Sequence, residues 1–246
     1  MAMVAEDRMM TMALERLLRS QGFGTRSECR SLVEQGRVCV QGRICDDPAA
    51  LFPVRDLMFA VDDVVWTFRE RAFLALNKPA GYECSRRPGH HASVYSLLPP
   101  PLIVRGVQAV GRLDQDTTGL LLFTDDGAFI HRYTSPRKQV PKVYEVTTRH
   151  AVDEAQIEAL LRGVELHDDP RPVAASACVW LDDRKLRLTV TQGRYHLVKR
   201  MVAAAGNRAE RLHRVAIGGF VLPAALVVGQ WMWLEVAELD LLARPG

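Results

Sequence analysis

Between positions 111 and 120 the chain reads Gly111-Arg112-Leu113-Asp114-Gln115-Asp116-Thr117-Thr118-Gly119-Leu120. Two carboxylates, two hydroxyls and two glycines stand there between apolar runs. Such carboxylates can serve as nucleophile, general base or oxygen ligands. The ligand option fails on spacing. Asp114, Asp116 and Thr118 fit the first, third and fifth places of a calcium loop, Gly119 the sixth and Asp125 the twelfth. The ninth place, however, is Leu122, the twelfth lacks a bidentate Glu, and Leu120–Phe123 reads as strand where a helix should follow. The carboxylates are left as candidates for nucleophile or base, with Asp116 expected to brace the loop by capping backbone amides.

Two more segments carry usable chemistry. Lys142-Val143-Tyr144 puts a phenol two residues after an ammonium, and Gly193-Arg194-Tyr195-His196-Leu197-Val198-Lys199-Arg200-Met201 sets two cations at a helix start. A single strand Tyr is usually core, and basic residues on a helix are usually solvated. Cys84, His90 and His91 lie close together, but no second ligand pair has zinc spacing, so a polar loop is expected there. No G-x-G-x-x-G, Walker or H-E-x-x-H motif occurs, and no cofactor or metal is expected.

The elements that must position these groups follow from periodicity. Residues 1–12 read as a frayed, Met-rich tail. Leu14, Leu17 and Leu18 have helical spacing, stopped by Gly22 and Gly24. Thr25, with Glu28 three residues on, forms a capping box for a helix that ends at Gly36. Arg37–Ile44 alternates as a strand around a Gly turn, and a short strand closes the region near Val61. Residues 63–70 are expected to lead into a second domain. From Arg71, strands at Phe73–Leu76, Leu120–Phe123, Ala177–Leu181 and Leu186–Thr191 mix with helices at Val152–Leu161 and Tyr195–Ala205. They lack a regular βαβ period, so the expected class is α+β with a mixed, largely antiparallel sheet. The domains are set at 13–62 and 71–244.

The first domain, two short helices followed by Gly36-Arg37-Val38-Cys39-Val40-Gln41-Gly42, resembles the small S-four RNA-binding domain. Residues 14–43 hold six arginines (16, 19, 26, 30, 37, 43) against three glutamates. Arg16, Arg26, Arg30 and Arg37 are the candidate phosphate contacts. Gly-Arg-Leu-Asp-x-Asp-Thr-Thr-Gly-Leu resembles the signature of RNA pseudouridine synthases of the small-subunit rRNA type (RsuA-like). Ala75–Tyr82, Thr124–Gly127, His131–Arg137, Lys142-Val143-Tyr144, Gly193–Met201, Leu212-His213-Arg214 and Ile217-Gly218-Gly219 follow in the family's order. The resemblance spans residues 14 to about 240. It implies an isomerase that detaches uracil from a 16S rRNA ribose, turns it and rejoins it through a ring carbon. The target base is flipped out to react.

By the same resemblance, Asp114 is the catalytic carboxylate. It acts on the ring, on the sugar, or as the base in glycal formation. Tyr144 stacks on uracil and helps move the ring proton, Lys199 pairs with Asp114, and Arg112 fills the gap or holds phosphate, with Arg200 as a second basic contact. Gln192 stands where the family commonly has Glu, and Leu197 where it has Gln. A large-subunit synthase and a non-catalytic ribosome-assembly factor are the alternatives; intact Asp114, Tyr144 and Lys199 argue against the second.

Composition agrees. The chain has 246 residues, 48% hydrophobic and 25% charged, with net charge +3. That is enough to bury a core and is not the balance of a disordered chain. Five lysines against 27 arginines favour planar, bidentate phosphate contacts. Five cysteines with no C-x-x-C pair fit a reducing compartment. There is no signal peptide and no spanning segment. The expectation is a cytoplasmic monomer acting on rRNA or an assembling small subunit, away from membranes.

Overall fold

The computed structural model describes residues 10–167 and 169–244. Of the expected tail, residues 1–9 lie outside these. Thr11 and Met12 are not frayed: Thr11–Ala13 pairs antiparallel with Leu51–Pro53.

The chain forms two compact units. One holds residues up to Arg71 together with Pro99–Val107; the other holds Ala72–Leu98 and everything from Gln108. In the first, helix Leu14–Ser20 buries Leu14, Leu17 and Leu18. Thr25 Oγ1 accepts from the Glu28 amide at 3.3 Å, and the Glu28 carboxylate accepts from the Thr25 amide at 2.6 Å. This capping box starts helix Arg26–Glu34. Four antiparallel strands run in the order Arg43–Ile44, Val38–Val40, Met58–Val61, Val64–Thr67. Phe23 packs edge-on against Phe59 and Trp66 at 5.7 and 5.4 Å.

The expected boundary at 62 therefore needs correction. Asp62 and Asp63 both have positive φ and make a two-residue hairpin turn, which folds Val64–Thr67 back onto the sheet. The segment 99–107 was not anticipated either. Its helix, Pro100–Arg105, sits so close to Gly22 that a Cβ there would lie 2.0 Å from the Pro101 carbonyl oxygen. Arg105 donates to Gln21 Oε1 and to the Glu70 carbonyl, both at 2.9 Å.

The second unit is α+β. Its nine-stranded sheet runs Ala177–Asp182, Lys185–Val190, Lys142–Thr148, Ala209–Ile217, Thr118–Thr124, Phe73–Lys78, Trp231–Trp233, with two short strands beside this path. Every pairing is antiparallel except Thr118–Thr124 with Ala209–Ile217. Leu74, Leu76 and Leu120 to Phe123 are fully buried, as central strands covered on both faces must be. Helices Gly127–Thr134, Glu154–Arg162, Leu197–Ala204 and Val236–Ala243 accompany it. The expected helix from Tyr195 begins two residues later, because His196 takes φ +51 at the N-cap. Among the described residues no helix is long and apolar enough to cross a membrane.

Candidate active site

The Gly111–Leu120 segment is the entry to strand Thr118–Thr124. Gly119 has φ +100, and a Cβ there would fall 2.3 Å from the Arg214 carbonyl oxygen. Only glycine lets the two parallel strands meet at this register.

One buried side chain holds the preceding turn. Lys78, fully buried, donates to the carbonyls of Pro79, Asp114, Gln115 and Thr117 at 3.0, 3.1, 3.3 and 2.9 Å. Burial lowers its pKa. The Gly81 amide adds a bond to the Gln115 carbonyl at 2.8 Å. The Asp114 backbone is thus fixed by an ammonium that has traded water for four carbonyls.

Helix Leu197–Ala204 aims a cation at this loop. Lys199 Nζ lies 3.2 Å from Asp114 Oδ2 and 2.6 Å from Asp116 Oδ1. Burial opposes the charge on both Lys199 and Asp116. Their mutual bond and charge win, with Asp114 adding to the pull on Lys199, so Lys199 is raised and Asp116 lowered. Asp116 binds this ammonium, a role beyond the loop brace expected of it. His196 Nε2 lies 3.3 Å from Asp114 Oδ1, and its ring stacks on exposed Tyr195 at 3.8 Å. Lys199 keeps both contacts although Leu197 replaces the family's usual Gln; Leu197 is buried.

Asp114 opens onto a cavity of about 380 Å³ lined also by Arg112, Tyr144, Lys142, Gln192 and Arg214. Tyr144 and Arg214 are cross-strand neighbours, and Arg214 Nη1 donates to the phenol oxygen at 3.3 Å. Arg112 is exposed at the wall, and Arg200 Nη1 donates to the Tyr195 carbonyl at 3.3 Å. Burial and then the Arg214 charge bring Lys142 down to about 8.

The expected site residues are therefore unevenly gathered. Asp114, Lys199, Tyr144 and Arg112 share the cavity or its wall. The arginines of the first unit are largely engaged. Arg26 pairs with Glu15 at 2.9 Å, Arg30 with Glu34 at 3.0 Å, and Arg37 with Asp62 at 2.6 Å. Arg16 is exposed. Ion pairs at a solvent-exposed surface stabilise little, so a phosphate can displace the carboxylate. Lys78, His196, Lys142 and Arg214 were missed as site residues. Lys78 lies in the family-like Ala75–Tyr82 segment, and its own signal is a lysine closing a strand that is apolar as far as Leu76.

Asp125 accepts from the Ala72 amide at 2.8 Å and Thr118 Oγ1 bonds His213 Nδ1 at 2.8 Å, so the calcium-loop positions serve the protein itself. Glu83 organises the loop near His90 and His91 by accepting from both amides at 3.0 Å. Among the described residues no three His, Cys, Asp or Glu are grouped to hold a metal.

Fold and site together define an α+β enzyme whose cavity is built around a lysine-held carboxylate, with a small helix-and-sheet unit before it. The family profile for RNA pseudouridylate synthase matches residues 72–204, and that of the S4 domain matches 14–56. Ribosomal small subunit pseudouridine synthase A of Haemophilus influenzae is 35% identical over 95% of this chain and 100% of its own. The Escherichia coli K12 protein of the same name is 37% identical over 93% of this chain and 98% of its own. A crystal structure of a pseudouridylate synthase, 34% identical, superposes with a TM-score of 0.67 over 94% of this chain and 99% of that one. The chain belongs to the RNA pseudouridylate synthase family and carries an S4 domain in front of the synthase domain.

Proposed function

We propose that this enzyme converts one uridine of 16S rRNA to pseudouridine, in the cytoplasm, as a monomer and without a cofactor. The observation that carries the reading is Asp114, pinned by Lys199 and His196 at the mouth of a cavity that Tyr144 walls. The near-full-length relatives named for the small ribosomal subunit supply the substrate class.

In this reading the flipped uridine enters the cavity and Arg112 holds the gap or a phosphate. Asp114 attacks ring or sugar, or removes a sugar proton, and the C1′–N1 bond breaks. The base turns, C5 bonds C1′, and the C5 proton leaves with help from the Tyr144 hydroxyl. Lys199 pairs with Asp114 at 3.2 Å and aims it. Arg200 contacts the strand beside the site, and Arg16, Arg26, Arg30 and Arg37 grip phosphates farther along the RNA. The test is to map pseudouridines across rRNA in a deletion strain, complemented with wild type or Asp114→Asn. Loss at one 16S position, restored only by wild type, is expected; loss in the large-subunit rRNA instead would favour the alternative.

The synthase unit is expected to bind phosphate itself. His131, Arg132, Lys138 and Arg244 line a groove that has no acidic wall and shares Tyr133 with the cavity. Arg132→Glu and Lys138→Glu should each reduce the slope of log Kd against log salt by about one unit. Arg16→Glu should do the same on the intact chain, a cleaner test than truncation because residues 99–107 complete the first unit.

Lys142 predicts a pH effect. Raising pH through about 8 removes a positive charge from the cavity wall. Affinity for a short target RNA should fall there, and Lys142→Met should abolish that inflection. The sign for stability is opposite. The folded value lies below the ordinary lysine value of 10.5, so the unfolded chain binds more protons between about 8 and 10.5. The cost of burying the charge is full below about 8 and is relieved as pH rises toward 10.5, which a melt across this window measures.

A further inference from the structure

Among the described residues, three buried side-chain polar atoms without a partner belong to residues lining the Asp114 cavity: Thr117 Oγ1, Gln192 Oε1 and Arg214 Nη2. Buried polar groups are almost always satisfied, so three around one cavity mark a place where a polar ligand belongs. Arg214 is the most constrained of them. It is 2% exposed; Nε donates to the Leu120 carbonyl at 2.7 Å and Nη1 to Tyr144. Two arms are anchored and the third is free. No carboxylate is among these contacts, and its charged neighbour Lys142 has the same sign.

We propose that Arg214 and Gln192 read the edge of the flipped uracil: Arg214 Nη2 donates to a ring carbonyl, and Gln192 Oε1 accepts from N3–H. This rests on the pseudouridine synthase reading and deepens it. Uracil offers two carbonyl oxygens flanking one N–H, which calls for at least one donor and one acceptor, and the residues lining this cavity hold one unpartnered atom of each kind in Arg214 and Gln192. Cytosine lacks that N–H.

Arg214 also acts on the barrier. When the C1′–N1 bond breaks, its electron pair leaves with uracil and spreads over N1, O2 and O4. C1′ is satisfied by bonding to the Asp114 carboxylate or by loss of the C2′ proton to it. If Asp114 instead adds to the ring, the displaced pair again reaches a ring oxygen. In each route C5 finally bonds C1′ as the Asp114 carboxylate is released or the C2′ proton is returned, the C5 proton leaves, and no co-reactant is consumed. A fixed guanidinium at the oxygen that gains charge stabilises the transition state more than the ground state.

The test is single-turnover conversion on an rRNA fragment carrying uridine, 5-fluorouridine or N3-methyluridine at the target. Wild-type turnover of plain uridine checks the parent reading separately. Arg214→Gln should slow uridine by about 10²–10³-fold with RNA affinity little changed. Its defect should shrink on 5-fluorouridine, whose base is a better leaving group when cleavage of the C1′–N1 bond is followed. Arg214→Lys, which keeps the charge, should fall between and carries the comparison if Arg214→Gln melts early. Wild type should reject N3-methyluridine, and Gln192→Ala should reject it less. An Arg214 defect that is absent, or equal on uridine and 5-fluorouridine, overturns the catalytic role. Unchanged rejection of N3-methyluridine in Gln192→Ala overturns the edge reading.

Discussion

Asp114→Asn is expected to abolish pseudouridine formation while leaving rRNA affinity within about threefold. The amide keeps the shape of the carboxylate and loses its charge, basicity and nucleophilicity. A fall of at least about 10³-fold corresponds to roughly 4 kcal/mol on the barrier. Near wild-type single-turnover conversion by this variant would remove Asp114 from the mechanism. Lys199→Ala should cost less in turnover, since the carboxylate survives and His196 still lies 3.3 Å from it. It leaves Asp114 and Asp116 as unneutralised neighbours, so a melt must accompany the rate to separate lost chemistry from lost folding.

Lys78→Met carries the largest expected effect on stability. The substitution nearly preserves length and removes every donor. Four carbonyls then lose a donor; Gln115 keeps the Gly81 amide and Asp114 the Thr117 amide, and each acceptor that cannot relax costs about 1–3 kcal/mol. The turn can relax in part, so we expect a net loss of about 3 kcal/mol. That lowers Tm by about 6–12 °C for a chain of this size. Turnover should fall as well, because the released turn is the one that aims Asp114. Unchanged Tm and rate would mean that the Gly81 amide alone holds the turn.

Much of this architecture is legible locally. The Thr25–Glu28 capping box, the stop at Gly22 and the alternation of Lys185–Val190 are each written in a few adjacent residues. The carboxylate loop and its lysine are legible as motif. What escaped depends on contacts between distant positions. Val64–Thr67 is the exception, since its hairpin to Met58–Val61 is local, but the Asp62-Asp63 turn lacks the glycine that usually marks such a turn. Lys78 and Arg214 are charged residues on strands, normally solvated, and become structural or chemical only where neighbouring strands close over them. The arginine-rich face likewise looked more basic in sequence than it is in space, because Glu15, Glu34 and Asp62 stand opposite its members.

Residues 99–107 bear on how the protein is made. The first unit is not finished when Arg71 has been synthesised; it lacks a helix encoded more than two dozen residues later. At about 5–20 residues per second the ribosome needs roughly two to seven seconds to supply it. Until then the glycine that must admit Pro101 faces nothing, and Gln21 lacks its arginine. The two units are therefore interleaved in time, and neither can be grafted onto another enzyme by a single cut in its gene.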